Sequence, residues 1–181
     1  MTNRLFIGLD LPESTIEYIT NLRNEIYGSS NNIKWEGEDK LHITIKFLGD
    51  VGENLLELIK DRLENIELFQ IEAELNGFNF FVKNNNPNIL YIGLKENSDI
   101  KKLHSEIEDE CELLGFTKEK RKFKPHLTLL RIRGKEDLNQ LNKFNNLSIE
   151  HKFKISSFSL IKSELKPTGS EYTIIKSFKL I

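Results

Sequence analysis

Two stretches of this 181-residue chain repeat one order of polar and apolar side chains, His42-Ile43-Thr44-Ile45 and His126-Leu127-Thr128-Leu129. They lie 84 positions apart in a sequence with only four histidines. Read as strands, each puts its imidazole and hydroxyl on one face, about 7 Å apart on the two-residue repeat. In the first, Leu41, Ile43, Ile45 and Phe47 form the opposite, apolar face, and His42, Thr44 and Lys46 the polar one. In the second, Pro125, Leu127 and Leu129 oppose Lys124, His126 and Thr128. If two similar halves bring these strands together, two imidazoles and two hydroxyls meet in one cleft. Imidazole titrates near neutral pH, so one ring is suited to take a proton from water while the other, protonated, donates to a leaving oxygen. Threonine hydroxyls on non-bridging oxygens complete a site for in-line attack at phosphorus without a metal.

A three-residue pattern alone carries little information, and a single strand histidine is more often structural. Two copies on matching strand faces are far more specific than either alone. His104, off the apolar stripe of a helix, and His151, in a strand-like stretch, read as surface residues, and Cys111 as a buried or half-buried thiol. The basic run 118–124, KEKRKFK, reads as a solvated loop that precedes His126 and adds positive potential at the cleft mouth. Arg131 shares the parity of Leu127 and Leu129, and reaches the cleft only if the strand twists or ends there.

Elements that could position these residues follow from periodicity. A buried strand over 4–11 ends at Pro12. A helix over 13–27, with Ile16, Ile19, Leu22, Arg23 and Ile26 on one stripe, stops at Gly28. IKWEG (33–37) and LHITIKFL (41–48) read as two strands, and 53–68 as an amphipathic helix with acids in its first turn. Strands are expected at 69–76, 78–83 and 88–95. A helix then carries Ile100, Leu103, Ile107 and Leu114 up to Gly115. After the second motif come a short polar helix near 135–145 and closing strands near 149–163 and 171–180. This is one pattern stated twice without a linker, which predicts an α+β body of two pseudo-symmetric lobes of mainly antiparallel sheet, helices outside and a central cleft, over 1–181 as one domain.

Composition agrees. The formal net charge of −2 provides no global basic field for coating duplexes. One cysteine excludes an internal disulfide, and no Cys/His spacing resembles a four-ligand zinc site. The short apolar run at the N-terminus falls well below the roughly 18–20 residues of a membrane span and lacks a signal-peptide cleavage pattern. A cytoplasmic monomer is the expectation.

The residues also carry a family resemblance. RLFIGLDLP, IKWEGEDKLHITIKFLGDV, RKFKPHLTLLR and SELKPTGSEYT, in that order and over nearly the whole chain, resemble the two-histidine phosphoesterases. Within these they are similar to the bacterial and archaeal RNA 2',3'-cyclic phosphodiesterases, formerly described as 2'-5' RNA ligases. The resemblance implies a bilobal fold and no metal or nucleotide cofactor. It also implies hydrolysis of an RNA or nucleotide terminal 2',3'-cyclic phosphate to a 2'-phosphate. By that resemblance His42 and His126 are the catalytic pair and Thr44, Thr128 and Arg131 bind phosphate, with Lys46, Phe123 and Lys124 as candidate substrate contacts. Lys34, Lys122 and Trp35 are further candidates for an RNA groove, though Trp35 fits a core role better. Acidic EGEDK beside the single tryptophan, and Ser170 where alanine is common, depart from the family pattern. Two alternatives stay open: 2',5'-phosphodiester ligation or cleavage by the same site, and a non-catalytic module that binds RNA ends.

Overall fold

The computed structural model describes residues 2–28, 33–145, 147–167 and 169–181, so Thr168 of the fourth family-like stretch lies outside the described residues. Elements follow in the order β1 (Thr2–Leu9), α1 (Glu13–Tyr27), β2 (Ile43–Gly52), α2 (Glu53–Glu64), β3 (Ile71–Lys83), β4 (Asn86–Leu94), α3 (Ser98–Leu113), β5 (His126–Arg131), α4 (Leu138–Asn142), β6 (His151–Ile155), β7 (Ser157–Lys166) and β8 (Gly169–Lys179). The strands form one sheet in the order β6-β3-β4-β5-β2-β1-β7-β8, and every adjacent pair is antiparallel. The α+β class expected from the alternating periodicities is the one the chain adopts.

Two four-stranded halves meet where β2 and β5 touch, through the single register pair Ile43 and Leu127. Elsewhere the sheet curls back on itself. β6 is the first strand of its order and β7 the seventh, yet only Ser156 separates them in sequence. The C-terminus closes the gap, with Leu180 N–H donating to Ser156 O and Ile181 N–H to Leu68 O. The core fills the curl with Leu5, Ile7, Ile43, Leu75, Leu90, Ile92, Leu127 and Phe158, all essentially excluded from solvent.

Helices tie the halves together. α1, which connects β1 to β2, reaches the far edge strand, where Thr15 Oγ1 lies 3.1 Å from Nε2 of His151 and Tyr18 stacks on that ring. His151 is therefore a half-buried packing residue rather than a surface decoration. α3, which connects β4 to β5, packs against α2 and β2.

Several boundaries differ from expectation for local reasons. The buried stripe of α1 is Thr15, Ile19, Arg23 and Tyr27, rotated from the predicted one because Arg23 and Thr15 find partners inside. The segment 33–37 forms no strand, and its Glu36 N–H donates to Leu129 O. α2 ends at Glu64 instead of 68. The two strands expected at 69–76 and 78–83 are one, β3, continuous through a bulge at Gly77. At its φ of +119° a Cβ would sit 2.5 Å from Leu147 O, so only glycine passes there. Conversely, the strand expected over 149–163 is two, because the chain changes sheet half at Ser156.

Candidate active site

Each motif occupies a central strand and the residues that follow it are displaced by a bulge. On β2, Gly8 pairs with Thr44 but Ile7 pairs with Lys46, so Ile45 is an extra residue and parity inverts after it. On β5, Tyr91 pairs with Thr128 and Leu90 with Leu130, so Leu129 plays the same part. Ile45, Lys46, Leu129 and Leu130 are consequently buried, while Phe47, 73% exposed, and Arg131 turn to the cleft. Arg131 therefore reaches the cleft despite sharing the parity of Leu127 and Leu129 in sequence. The same shift removes Lys46 from the cleft: it is 5% exposed, its Nζ 2.7 Å from Glu108 Oε2 and 3.0 Å from Thr117 O. Strict alternation, which does not register a bulge, puts Lys46 on the polar face and Phe47 on the core face, the reverse of what the strand adopts.

His42, Thr44, His126, Thr128 and Arg131 line one cleft of about 500 Å³. Both imidazoles are anchored alike, Nδ1 of His42 lying 2.7 Å from Lys40 O and Nδ1 of His126 lying 2.8 Å from Lys124 O. A carbonyl only accepts, so in each neutral ring Nδ1 carries the proton and Nε2 keeps its lone pair. The Thr44 hydroxyl then donates to Nε2 of His42 at 3.0 Å. Burial is the largest influence on both rings and favours the neutral form. It pushes His42 down to about 4 against the opposing pull of the Lys40 carbonyl, with His126 and Arg131 adding to the depression. His126 is also lowered, chiefly by burial and then by the charges of Lys124 and Arg131. Arg131 is held by Glu36, Nε to Oε1 3.2 Å.

The aromatic rings around the two imidazoles come from residues outside the two motifs, and of these Phe6 and Tyr172 line the cleft. Phe6 and Tyr172 flank the His42 ring, centroids 4.7 and 5.4 Å away, and Phe81 and Tyr91 flank His126 at 4.9 and 5.4 Å. A signal for two of them was present, since Leu5-Phe6-Ile7-Gly8-Leu9 and Leu90-Tyr91-Ile92-Gly93-Leu94 repeat almost letter for letter. The repeat is not carried into identical pairing, because Gly8 faces Thr44 whereas Tyr91 faces Thr128. That offset sets Gly8 under the His42 ring, where a Cβ would lie 3.2 Å from Cδ2. Glycine here lets the imidazole lie close over β1.

Other candidates sit elsewhere. Phe123 packs, stacked on His104 at 4.0 Å, so neither is a free surface residue and Phe123 does not line the cleft. Lys124 Nζ donates to Tyr91 Oη at 2.5 Å and lies over the Tyr91 and Phe81 rings, supporting the His126 wall without entering the cleft. Trp35 packs edge-on to Tyr27 and Phe144 beneath the Arg23 guanidinium. The basic run does not reach the cleft, and its Lys118 pairs with Asp109 and Glu112 on α3. Among the described residues no three His, Cys, Asp or Glu side chains gather to hold a metal ion, and no helix is long and apolar enough to cross a membrane. The thiol of Cys111 is buried and pushed up to about 12, mainly by that burial.

The sequence pattern of the 2'-5' RNA ligase superfamily matches residues 11–167. The chain belongs to this superfamily. Two relatives, each called an RNA 2',3'-cyclic phosphodiesterase, come from Archaeoglobus fulgidus and Methanocaldococcus jannaschii. The first is 30% identical over 178 residues and the second 31% over 179, with 97% of this chain and 99% of the relative covered in each case. Among solved structures of this shape, the Thermus thermophilus protein TT0787 is 24% identical with a TM-score of 0.82, over 98% of this chain and 97% of that one. E. coli LigT, solved in complex with 3'-AMP, is 20% identical with a TM-score of 0.78, over 99% of both chains. The fold is that of E. coli LigT and of TT0787.

Proposed function

We propose that this superfamily member hydrolyses a terminal 2',3'-cyclic phosphate on RNA or a nucleotide to a 2'-phosphate, with His42 and His126 as general acid and base. The observation that carries the reading is the matched pair of imidazoles, each tied at Nδ1 to a carbonyl and lining one cleft. The names of the full-length relatives support it. One Nε2 takes a proton from water as the oxygen attacks phosphorus, and the other, as Nε2–H, donates to the departing O3' as its bond to phosphorus breaks. The product holds a 2'-phosphomonoester and a free 3'-hydroxyl. Thr44, Thr128 and the Arg131 guanidinium serve the non-bridging oxygens, where charge gathers in the transition state.

The direct test incubates the chelator-treated protein with a short RNA ending in a 2',3'-cyclic phosphate. A 2'-phosphate product is expected. A 3'-phosphate product would reverse the leaving group, and bound RNA without turnover would make the cleft a binding site only.

Acidity follows from the electrostatics. Both rings prefer the neutral form in the free enzyme, so the imidazolium needed as acid is scarce at neutral pH. The kcat/KM profile is expected to be a bell with both limbs below pH 6.5, because kcat/KM reports the free enzyme. A bound phosphodiester anion favours imidazolium, so the alkaline limb of kcat lies at higher pH than that of kcat/KM. An alkaline limb of kcat/KM above pH 7 would overturn this account.

A further inference from the structure

The two histidines are anchored alike, but the lysines that anchor them are not held alike. Lys40 and Lys124 each stand two residues before their histidine and give it their carbonyl, at 2.7 and 2.8 Å from Nδ1. Lys40 ends a 3-10 turn over Glu38–Lys40. The peptide group that carries its carbonyl also carries the N–H of Leu41, which donates to Glu38 O at 3.2 Å, so the backbone itself fixes that group and the Lys40 side chain is left to line the cleft. Lys124 has no such support. Its carbonyl belongs to the peptide bond before Pro125, which has no N–H to pair. Residues 116–125 form neither helix nor strand, and among the described residues Lys124 enters no backbone pair.

The side chain supplies what the backbone lacks. Lys124 Nζ donates to Tyr91 Oη at 2.5 Å and lies 4.9 and 5.4 Å from the Tyr91 and Phe81 ring centroids. Tyr91 is a fixed point, 2% exposed on β4 and stacked on Phe81 at 4.2 Å. The first half of the chain has no counterpart. Phe6, which holds the place of Tyr91 in the repeated Leu-aromatic-Ile-Gly-Leu, offers no oxygen to a lysine. One hydroxyl thus separates a lysine that lines the cleft from one that is tied behind it.

We propose that Lys124 is a positioning residue of His126: tied by its ammonium to the Tyr91 hydroxyl, it holds its own carbonyl on Nδ1–H and so keeps Nε2 available to the cleft. The effect on turnover rests on the phosphodiesterase reading, whereas the effect on the ring rests on the geometry alone. A partner at one imidazole nitrogen sets the tautomer and orientation of the other, so the tether serves His126 whether that ring gives or takes the proton.

The test reads imidazole nitrogen NMR shifts at about pH 8, where both rings are neutral, together with kcat and KM on an RNA 2',3'-cyclic phosphate end. Wild type, Tyr91→Phe, Lys124→Met and Lys124→Arg are compared. In wild type both rings are expected to carry the proton at Nδ1. Tyr91→Phe and Lys124→Met are expected to turn His126, and not His42, into a mixture of tautomers. Their kcat is expected to fall about 10- to 100-fold, as a small displacement of a reacting group allows, with KM unchanged because Lys124 does not line the cleft. Lys124 is exposed, so Lys124→Met tests the tether without disturbing the core. Lys124→Arg, whose guanidinium can reach the same hydroxyl and rings, is expected to restore both readouts. A His126 tautomer unchanged in Lys124→Met, a change that His42 shares, a rise in KM in place of the fall in kcat, or a Lys124→Arg protein no better than Lys124→Met overturns the proposal. If wild type hydrolyses no cyclic phosphate, the phosphodiesterase reading fails by itself, and the His126 tautomer in the variants still decides the tether.

Discussion

His42→Ala and His126→Ala are each expected to lower kcat on an RNA 2',3'-cyclic phosphate end by about 10²- to 10⁴-fold, the usual contribution of a general acid or base. Neither ring fills the deep core. Each stands on the cleft wall, anchored by one hydrogen bond at Nδ1 and flanked by aromatic rings that remain after truncation. Far-UV spectra and urea midpoints near those of wild type are therefore expected beside the lost turnover. The two rings work in one step, so the double variant should be little slower than the worse single one. Near-normal turnover by either single variant would end the proposed mechanism. Thr44→Ala and Thr128→Ala should be milder, because water can partly replace a lost hydroxyl donor.

Lys46→Met is expected to cost about 3–5 kcal/mol of stability while leaving the Michaelis constant of the folded enzyme unchanged. The Lys46 and Glu108 side chains are only 4% and 7% exposed, and the Nζ to Oε2 distance is 2.7 Å. Removing the ammonium strands a carboxylate whose Oε2 also accepts from Glu119 N–H and whose Oε1 has no hydrogen-bond partner. Urea midpoints measure the loss. The double variant Lys46→Met/Glu108→Leu should recover most of it, because a well-packed apolar pair avoids the desolvation of both charges. A loss under about 1 kcal/mol in the single variant, or a rise in KM with stability intact, would return Lys46 to the role of substrate contact.

The fate of Lys46 shows how far strand alternation carries. Up to Thr44 and Thr128 the period of two holds, and both histidines share the cleft with their threonines as the spacing requires. One residue later it fails twice, at Ile45 and Leu129. A bulge is a property of two paired strands, and the neighbours that impose these two, β1 and β4, come from far away in sequence. The cleft walls were hidden for the same reason. Phe6 and Tyr91 are marked only by the repeat they share, which does not say what ring either will flank, and Tyr172 carries no local mark at all. The basic surface was misplaced as well: KEKRKFK looks like the cationic feature of the chain, yet the cations beside the cleft are dispersed singletons such as Arg4, Lys40, Arg133 and Lys166.

By itself the sequence determined which chemistry was available and on which side of two strands it would stand. That follows from backbone geometry alone, since successive side chains of any extended chain point to opposite faces. It also determined the α+β class, through runs whose periods match strands and helices. Only the tertiary structure decided that the two strands meet at one register pair, that bulges exchange Lys46 for Phe47 and admit Arg131, and that α3 buries the displaced lysine against Glu108. Those outcomes depend on pairings between residues tens of positions apart. Such pairings are settled by which faces can be buried together, a quantity no single stretch of sequence contains.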